Sequence, residues 1–141
     1  MKIFLDANIL VSVLNKEYPL FTYSSRVLSL VDNSKFKVYT SPLCLAIAFY
    51  FAEKKNGNAM ARKKITLLAE KLLFTSIDEK TVYEVEKNKK IHDFEDGLQY
   101  YSALQKDCKY IITEDLGDFY FSEIEVLNSR AFLEEHVFEK A

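Results

Sequence analysis

Short apolar runs and helical stripes alternate along this chain. Lys2 to Leu5 reads as a buried strand, and Asn8 can then cap a helix through Leu14. Pro19 suits the first turn of a second helix, whose stripe is Phe21, Val27, Leu28 and Val31. Lys35 to Thr40 predicts a second strand. Ser41-Pro42 then opens a third helix through Phe51 that is apolar on nearly all sides and expected to be buried. Asn56-Gly57-Asn58 marks a turn, and Ala59 to Leu72 places Ile65, Leu68 and Leu72 at helical spacing. Leu73 to Ile77 predicts a third strand, and Asp78 caps a helix from Glu79 to Lys87. Asp93 caps the helix from Phe94 to Gln105, and Tyr110 to Thr113 is a fourth strand. Ser122 to Leu127 is a weaker fifth strand. Asn128 or Ser129 caps a last helix carrying Phe132 and Leu133. Strands alternating with helices predict an α/β fold with a mostly parallel sheet of four to five strands.

At 141 residues the chain is expected to be one domain, residues 1–141, with a single core. A composition that is 49% hydrophobic and 14% aromatic excludes a disordered chain. The formal net charge of −2 gives no global basic field for a nucleic-acid partner. Two local basic groups stand out: Lys54, Lys55, Arg62, Lys63 and Lys64, and then Lys87, Lys89 and Lys90. Both read as solvated helix faces. Cys44 and Cys108 lie in apolar stretches without metal-ligand spacing, as free thiols in a reducing compartment would. No charged leader with an apolar core and no long apolar run is present, so a cytoplasmic, membrane-free protein is expected.

The candidate chemistry lies in the acids. Asp6 follows the first strand, Asp115 and Asp118 follow the fourth, and Asp96 opens a helix. In parallel α/β sheets, ligands bind beyond the carboxyl ends of the strands, near the point where strand order reverses. Carboxylates gathered there need a shared cation, and a hard divalent ion with oxygen ligands suits phosphodiester hydrolysis. Each acid also has a simpler role. Asp6 can form a turn, Asp96 can complement the helix dipole, and one of Asp115 and Asp118 can turn the chain into Phe119. Asp93 is explained as an N-cap, and Glu95 and Glu114 are expected to face solvent. His92 and His136 make no pair and read as structural or surface residues.

Other catalytic signatures are missing. No Gly-rich phosphate loop, serine elbow or Cys/His pairing occurs. A haloacid-dehalogenase-like phosphatase needs a second Asp where Asn8 stands. A response-regulator receiver needs paired acids in the first loop and a Lys near Asn128, and neither occurs.

Four segments in order resemble a PIN domain: Phe4-Leu5-Asp6-Ala7-Asn8-Ile9-Leu10, Thr40-Ser41-Pro42-Leu43, Asp93 to Tyr100, and Ile112 to Phe119. The resemblance implies a three-layer α/β/α sandwich and a Mg²⁺- or Mn²⁺-dependent ribonuclease, with many relatives being VapC-type toxins of toxin–antitoxin pairs. It carries the metal acids onto Asp6, Asp96, Asp115 and Asp118, with Asn8 and Thr113 as supporting groups. Its usual Glu on the third helix falls at Ile47, which leaves the set one carboxylate short. The alternative is a PIN-like module of little or no activity that binds RNA or a protein. An antitoxin and a second copy of the chain are the expected protein partners. The homodimer rests on the apolar excess of Leu10, Val11, Leu14, Phe21, Phe49, Tyr50 and Phe51.

Overall fold

The computed structural model describes residues 1–138. The chain runs β1 (Lys2–Leu5), α1 (Ala7–Leu14), α2 (Phe21–Leu28), β2 (Lys37–Thr40), α3 (Pro42–Asn56) and α4 (Asn58–Lys71). It continues through β3 (Leu73–Phe74), α5 (Glu79–Lys87), α6 (Phe94–Gln105), β4 (Tyr110–Ile112), β5 (Glu125–Leu127) and α7 (Ser129–His136). Single 3-10 turns at Ser29–Asp32 and Leu116–Phe119 extend α2 and follow β4.

All five strands are parallel, in the order β3-β2-β1-β4-β5. The first three strands step outward from β1 in one direction, and the chain then returns to lay β4 on the other side of β1. Strand order therefore reverses between β1 and β4, where Phe4 stands opposite Ile111 and Leu5 opposite Ile112. Both strands are buried, and Ile3, Phe4, Leu5, Ile111 and Ile112 are fully enclosed. Continuous apolar runs are what a parallel sheet covered on both faces requires. α1 packs on α2 and α3, α3 on α4, and α2 on α7, while α5 and α6 pack together as a separate pair. The sheet is flanked by these helices, giving the α/β sandwich expected from the alternating pattern.

Where elements differ from expectation, hydrogen bonds explain the difference. β3 stops at Phe74 because its only partner, β2, ends at Thr40; the Thr75 N–H reaches the Thr40 carbonyl at 2.9 Å, and Ser41 then leaves the sheet to cap α3. β2 starts at Lys37 because Asn33 folds the preceding residues into a turn, its side chain accepting from the Lys35 N–H. β5 is shortened because Ser122 bonds to Ile124 within a local turn. Pro19 precedes α2, which starts at Phe21.

α3 overturns the expectation of a helix buried all round. It extends to Asn56 and ends at Gly57, whose φ of +83° favours glycine. Cys44, Ala48 and Ala52, spaced four apart, are fully enclosed, whereas Tyr50 and Phe51 are 53% and 44% exposed. The small residues let neighbouring helices approach closely, and the bulky aromatics are turned outward.

Gly97 fixes how α6 seats on α5. A Cβ there would stand 2.6 Å from Val85 Cγ1 and 3.0 Å from Ile91 Cγ2. Val85 is buried and β-branched, so it has little freedom to move. Gly97→Ala should therefore lose about 1–3 kcal/mol of unfolding free energy through overpacking. Urea denaturation checks this, and an unchanged midpoint would show that α5 yields without strain.

Candidate metal centre at the strand-order switch

Asp6 is where β1 becomes α1. Its N–H continues the sheet ladder by donating to the Ile112 carbonyl at 3.0 Å. Its side chain, rather than Asn8, caps α1: Oδ1 accepts the Ala7 N–H at 2.8 Å. Oδ2 accepts from Thr113 Oγ1 at 2.9 Å and from Asn8 Nδ2 at 3.5 Å. The Cys44 thiol lies 3.8 Å from Oδ1, and burial together with the Asp6 charge pushes that thiol up to about 12, so it is a donor at neutral pH. Burial is also the largest influence on Asp6 itself. It raises the carboxyl against the opposing hydrogen bonds, and Asp115 adds to the rise.

Asn8 spends its side chain across the sheet. Its Nδ2 donates to Thr113 Oγ1 at 2.9 Å and Asp115 Oδ2 at 3.2 Å, and its Oδ1 accepts the Glu114 N–H at 3.2 Å. Thr113 Oγ1 also accepts the Asp115 N–H at 3.1 Å. One amide and one hydroxyl thus tie the end of β4 to the start of α1. Glu114, expected in solvent, is half-buried and accepts the Ser129 N–H at 3.0 Å, helping to anchor α7.

Asp96 comes from the first turn of α6, where Asp93 caps the helix by accepting the Asp96 N–H at 3.1 Å. Burial, followed by the charges of Asp93, Asp118, Asp6 and Glu95, pushes the Asp96 carboxyl up to about 7. Asp118 sits in the turn after β4, its N–H donating to the Asp115 carbonyl at 3.1 Å.

These elements surround one cleft of about 420 Å³. Asp6, Asp96, Asp115 and Asp118 all line it, and Asn8 lies among them. Thr113 is buried behind, in contact with Asp6 and Asn8. The lining also includes the apolar Val11, Leu20, Phe51 and Ile47, so the residue at the expected Glu position does face the cleft. Among the described residues, no Lys, Arg or His lines it. Among the described residues, however, no three acids, histidines or cysteines are grouped so that they could hold one ion as the side chains stand. The donor set itself, all carboxylate and amide oxygen, suits a hard divalent cation rather than a soft one.

Three further acids in this cleft lie outside the set that the sequence singles out. Asp93 caps α6 and lines the cleft at once, and Glu17 stands at its edge. Glu95 is exposed as expected, yet it faces the same space. Burial, Asp93 and Asp6 raise its carboxyl above the usual range. A helix-dipole explanation is sufficient for Asp93 and Glu95 from sequence, and nothing there reveals their second role. Behind the acids, Gln99 is fully buried one turn after Asp96. It accepts from Ser41 Oγ, which itself caps α3 by accepting the Cys44 N–H at 2.9 Å. Ser102 receives a hydrogen bond from Thr75 at 2.9 Å. This buried polar seam holds α6 against the ends of β2 and β3. Its sequence signal is only polar residues on an otherwise core-facing helix side.

Comparison with known proteins agrees with this geometry. The chain is 29% identical over 136 residues to Ribonuclease VapC1 of Aquifex aeolicus (strain VF5), covering 94% of each chain. Its fold is similar to that in the crystal structure of VapBC2 from Rickettsia felis bound to a DNA fragment from their promoter. The TM-score is 0.70 at 18% identity, over 91% of this chain and 98% of that one. It is also similar to Mycobacterium tuberculosis VapC20, described as a sarcin-ricin loop cleaving toxin, with a TM-score of 0.61 at 13% identity, over 77% of this chain and 86% of that one. The PIN domain profile matches residues 2–117, from β1 into the turn after β4. With the profile spanning most of the chain and the acids facing one cleft at the strand-order switch, the protein belongs to the PIN domain family.

Proposed function

We propose that this protein is a VapC-type endoribonuclease that hydrolyses RNA phosphodiesters using Mg²⁺ or Mn²⁺ held by Asp6, Asp96, Asp115 and Asp118. The observation that carries the reading is that these four acids, from three separate parts of the chain, line one cleft with no cationic side chain of the described residues in its wall. Leaving them together without a counter-charge is costly, and a hard divalent ion removes that cost. When bound, such an ion activates water and stabilises the charge that builds on a scissile phosphate. The chain's own residues prepare for this. The Ala7 N–H and Thr113 hydroxyl fix the two oxygens of Asp6, and Asn8 steadies Asp115. Holding one ion draws the carboxylates closer than they stand.

The competing reading, a PIN-like module that binds RNA or protein without cutting, draws on Ile47 and on the absence of a three-acid grouping among the described residues. Incubating a mixed RNA pool with the purified chain separates the two. Cleavage is expected with Mg²⁺ or Mn²⁺ and not with EDTA, and Asp6→Asn should lower it by at least ~100-fold, as loss of a metal-water activator does. Intact RNA under every metal condition would assign the binding module.

The acid cluster also predicts a stability response. Asp96 is held well above its ordinary range, so its ionised form destabilises the metal-free fold at neutral pH. Asp96→Asn should stabilise that form by on the order of 1 kcal/mol, allowing for solvent screening of a partly exposed group. Mn²⁺ should raise the melting temperature of the unsubstituted protein at millimolar concentration, equal ionic strength as NaCl should not, and Asp96→Asn should remove the response. Ile47→Glu, which adds the missing carboxylate to the cleft wall, should shift that response to lower Mn²⁺. Identical melting curves in Mn²⁺ and EDTA would remove the metal from the proposal.

The same reading includes protein partners. An antitoxin is expected by analogy with the VapBC pair. No helix among the described residues is long and apolar enough to cross a membrane, and a cytoplasmic location is proposed with it. Tagging the chain in its own cells tests both, and a membrane-bound or partner-free population would contradict them. For the homodimer, the core has absorbed Leu10 and Leu14, whereas Tyr50 and Phe51 remain exposed on α3. A second copy would cover those two rings. Sedimentation should give twice the 16.4 kDa chain mass at micromolar concentration, and Tyr50→Lys with Phe51→Lys should return it to one. A monomer in the unsubstituted protein would end the dimer proposal.

A further inference from the structure

One surface feature beside the cleft has no part in the chemistry above. His92 and Tyr120 are both exposed, Tyr120 to 56%, and their rings stack with centroids 5.7 Å apart and planes 28° from parallel. Tyr120 is not free to swing. Its hydroxyl donates to the Lys90 carbonyl and accepts the His92 N–H at 3.1 Å. The loop that carries His92 is itself fastened, because the Asn88 side chain accepts the Lys90 N–H at 3.1 Å and the Asn88 carbonyl accepts the Ile91 N–H at 3.1 Å. The Tyr120 ring and the loop backbone that carries His92 are therefore held in place before anything binds. The pair also borders the cleft, since Asp93 follows His92 directly, Asp118 precedes Tyr120 by two residues, and both acids line the cleft.

The charges of the loop point the same way. Lys87, Lys89 and Lys90 are exposed and take part in none of the ion pairs among the described residues. The cleft wall is anionic, so a polyanion reaching it needs cations outside the wall. Pinned aromatic faces beside unpaired lysines are what single-stranded RNA uses: bases stack on the rings, and lysines meet the phosphates. An amphipathic protein partner would be served by aliphatic area, and here the exposed rings are amphipathic and the lysines beside them positive.

We propose that the His92–Tyr120 stack, with Lys89 and Lys90 beside it, is a substrate subsite that holds a base of single-stranded RNA next to the phosphate bound in the cleft. The proposal rests on the reading of that cleft as an RNA site. Tyr120 acts as a positioning residue, because it touches the flanking nucleotide and not the reacting atoms.

The test uses the full chain carrying Asp6→Asn, so that bound RNA survives, and a short fluorescein-labelled single-stranded RNA of mixed sequence read by anisotropy. Tyr120→Ala is expected to weaken binding about tenfold. Joint replacement of Lys89→Ala and Lys90→Ala should lower the salt dependence by a slope of roughly 0.7 for each phosphate no longer neutralised. If Tyr120→Ala fails to fold, His92→Ala reads the same platform. In the chain with Asp6 intact, the Mn²⁺-dependent rise in melting temperature, which involves no aromatic ligand, should be unchanged by Tyr120→Ala, while KM for RNA rises. Unchanged RNA affinity in both Tyr120→Ala and His92→Ala overturns the subsite even if the nuclease reading stands. Weakened RNA binding with no hydrolysis by the unsubstituted chain keeps the subsite and removes the nuclease. No RNA binding by the parent chain overturns the subsite, as does a Tyr120→Ala effect confined to self-association in sedimentation.

Discussion

The Asp6 N–H donates to the Ile112 carbonyl, and the Thr113 hydroxyl donates to the Asp6 carboxylate. These two bonds form where two neighbouring parallel strands end together, and the rest of the site is arranged around them. Parallel pairing sets β1 and β4 in register, so their carboxyl ends coincide in space although more than a hundred residues separate them. An acid placed one residue past β1 then meets the residues just beyond β4. The first of these, Thr113, clamps it, and two residues later Asp115 brings a second acid. The backbone ladder thus does the positioning that flexible side chains could not.

That positioning works against stability. Burial raises Asp6, and burial with four neighbouring carboxylates raises Asp96 to about 7. Each shift means that the ionised form is disfavoured in the folded chain. The fold tolerates this because the strain is local and the core beneath it is tight, with β1 and β4 enclosed by apolar residues on both faces. The hydrogen bonds to Asp6 oppose only part of that cost, and a bound cation, as proposed, would relieve the rest. Cys44 fits the same logic: a buried thiol that stays protonated can lie against Asp6 without adding charge.

Much of this is legible in the sequence, for identifiable reasons. β1 and β4 are legible because buried parallel strands are continuous apolar runs, and α5 and α6 because Asp78 and Asp93 cap them. That β4 returns to the far side of β1 is not legible, since long-range pairing leaves no local mark. Asn8 reads as a cap because two capping residue types stand two apart, and only the structure shows that Asp6 takes the role and frees Asn8 to bridge to Thr113. Glu95, Glu17 and Asp93 escape notice as cleft acids for a related reason. Asp93 and Glu95 have ordinary local explanations, Glu17 carries no motif, and only packing brings each to face the cleft.

α3 shows why a pattern of apolar residues can mislead. Its composition suggests a helix hidden on all sides, but burial follows residue size as well as hydrophobicity. Alanines and cysteine at four-residue spacing create a flat face on which neighbouring helices sit closely, and this leaves no room for Phe51 or Tyr50 on that side. The large rings are displaced toward solvent and toward the cleft, where Phe51 joins Ile47 in the apolar part of the lining. The apolar residue at position 47 is therefore not an isolated feature. It belongs to a helix that turns bulky apolar side chains away from its packed face of small residues, and two of them share the lining of the cleft with the acids.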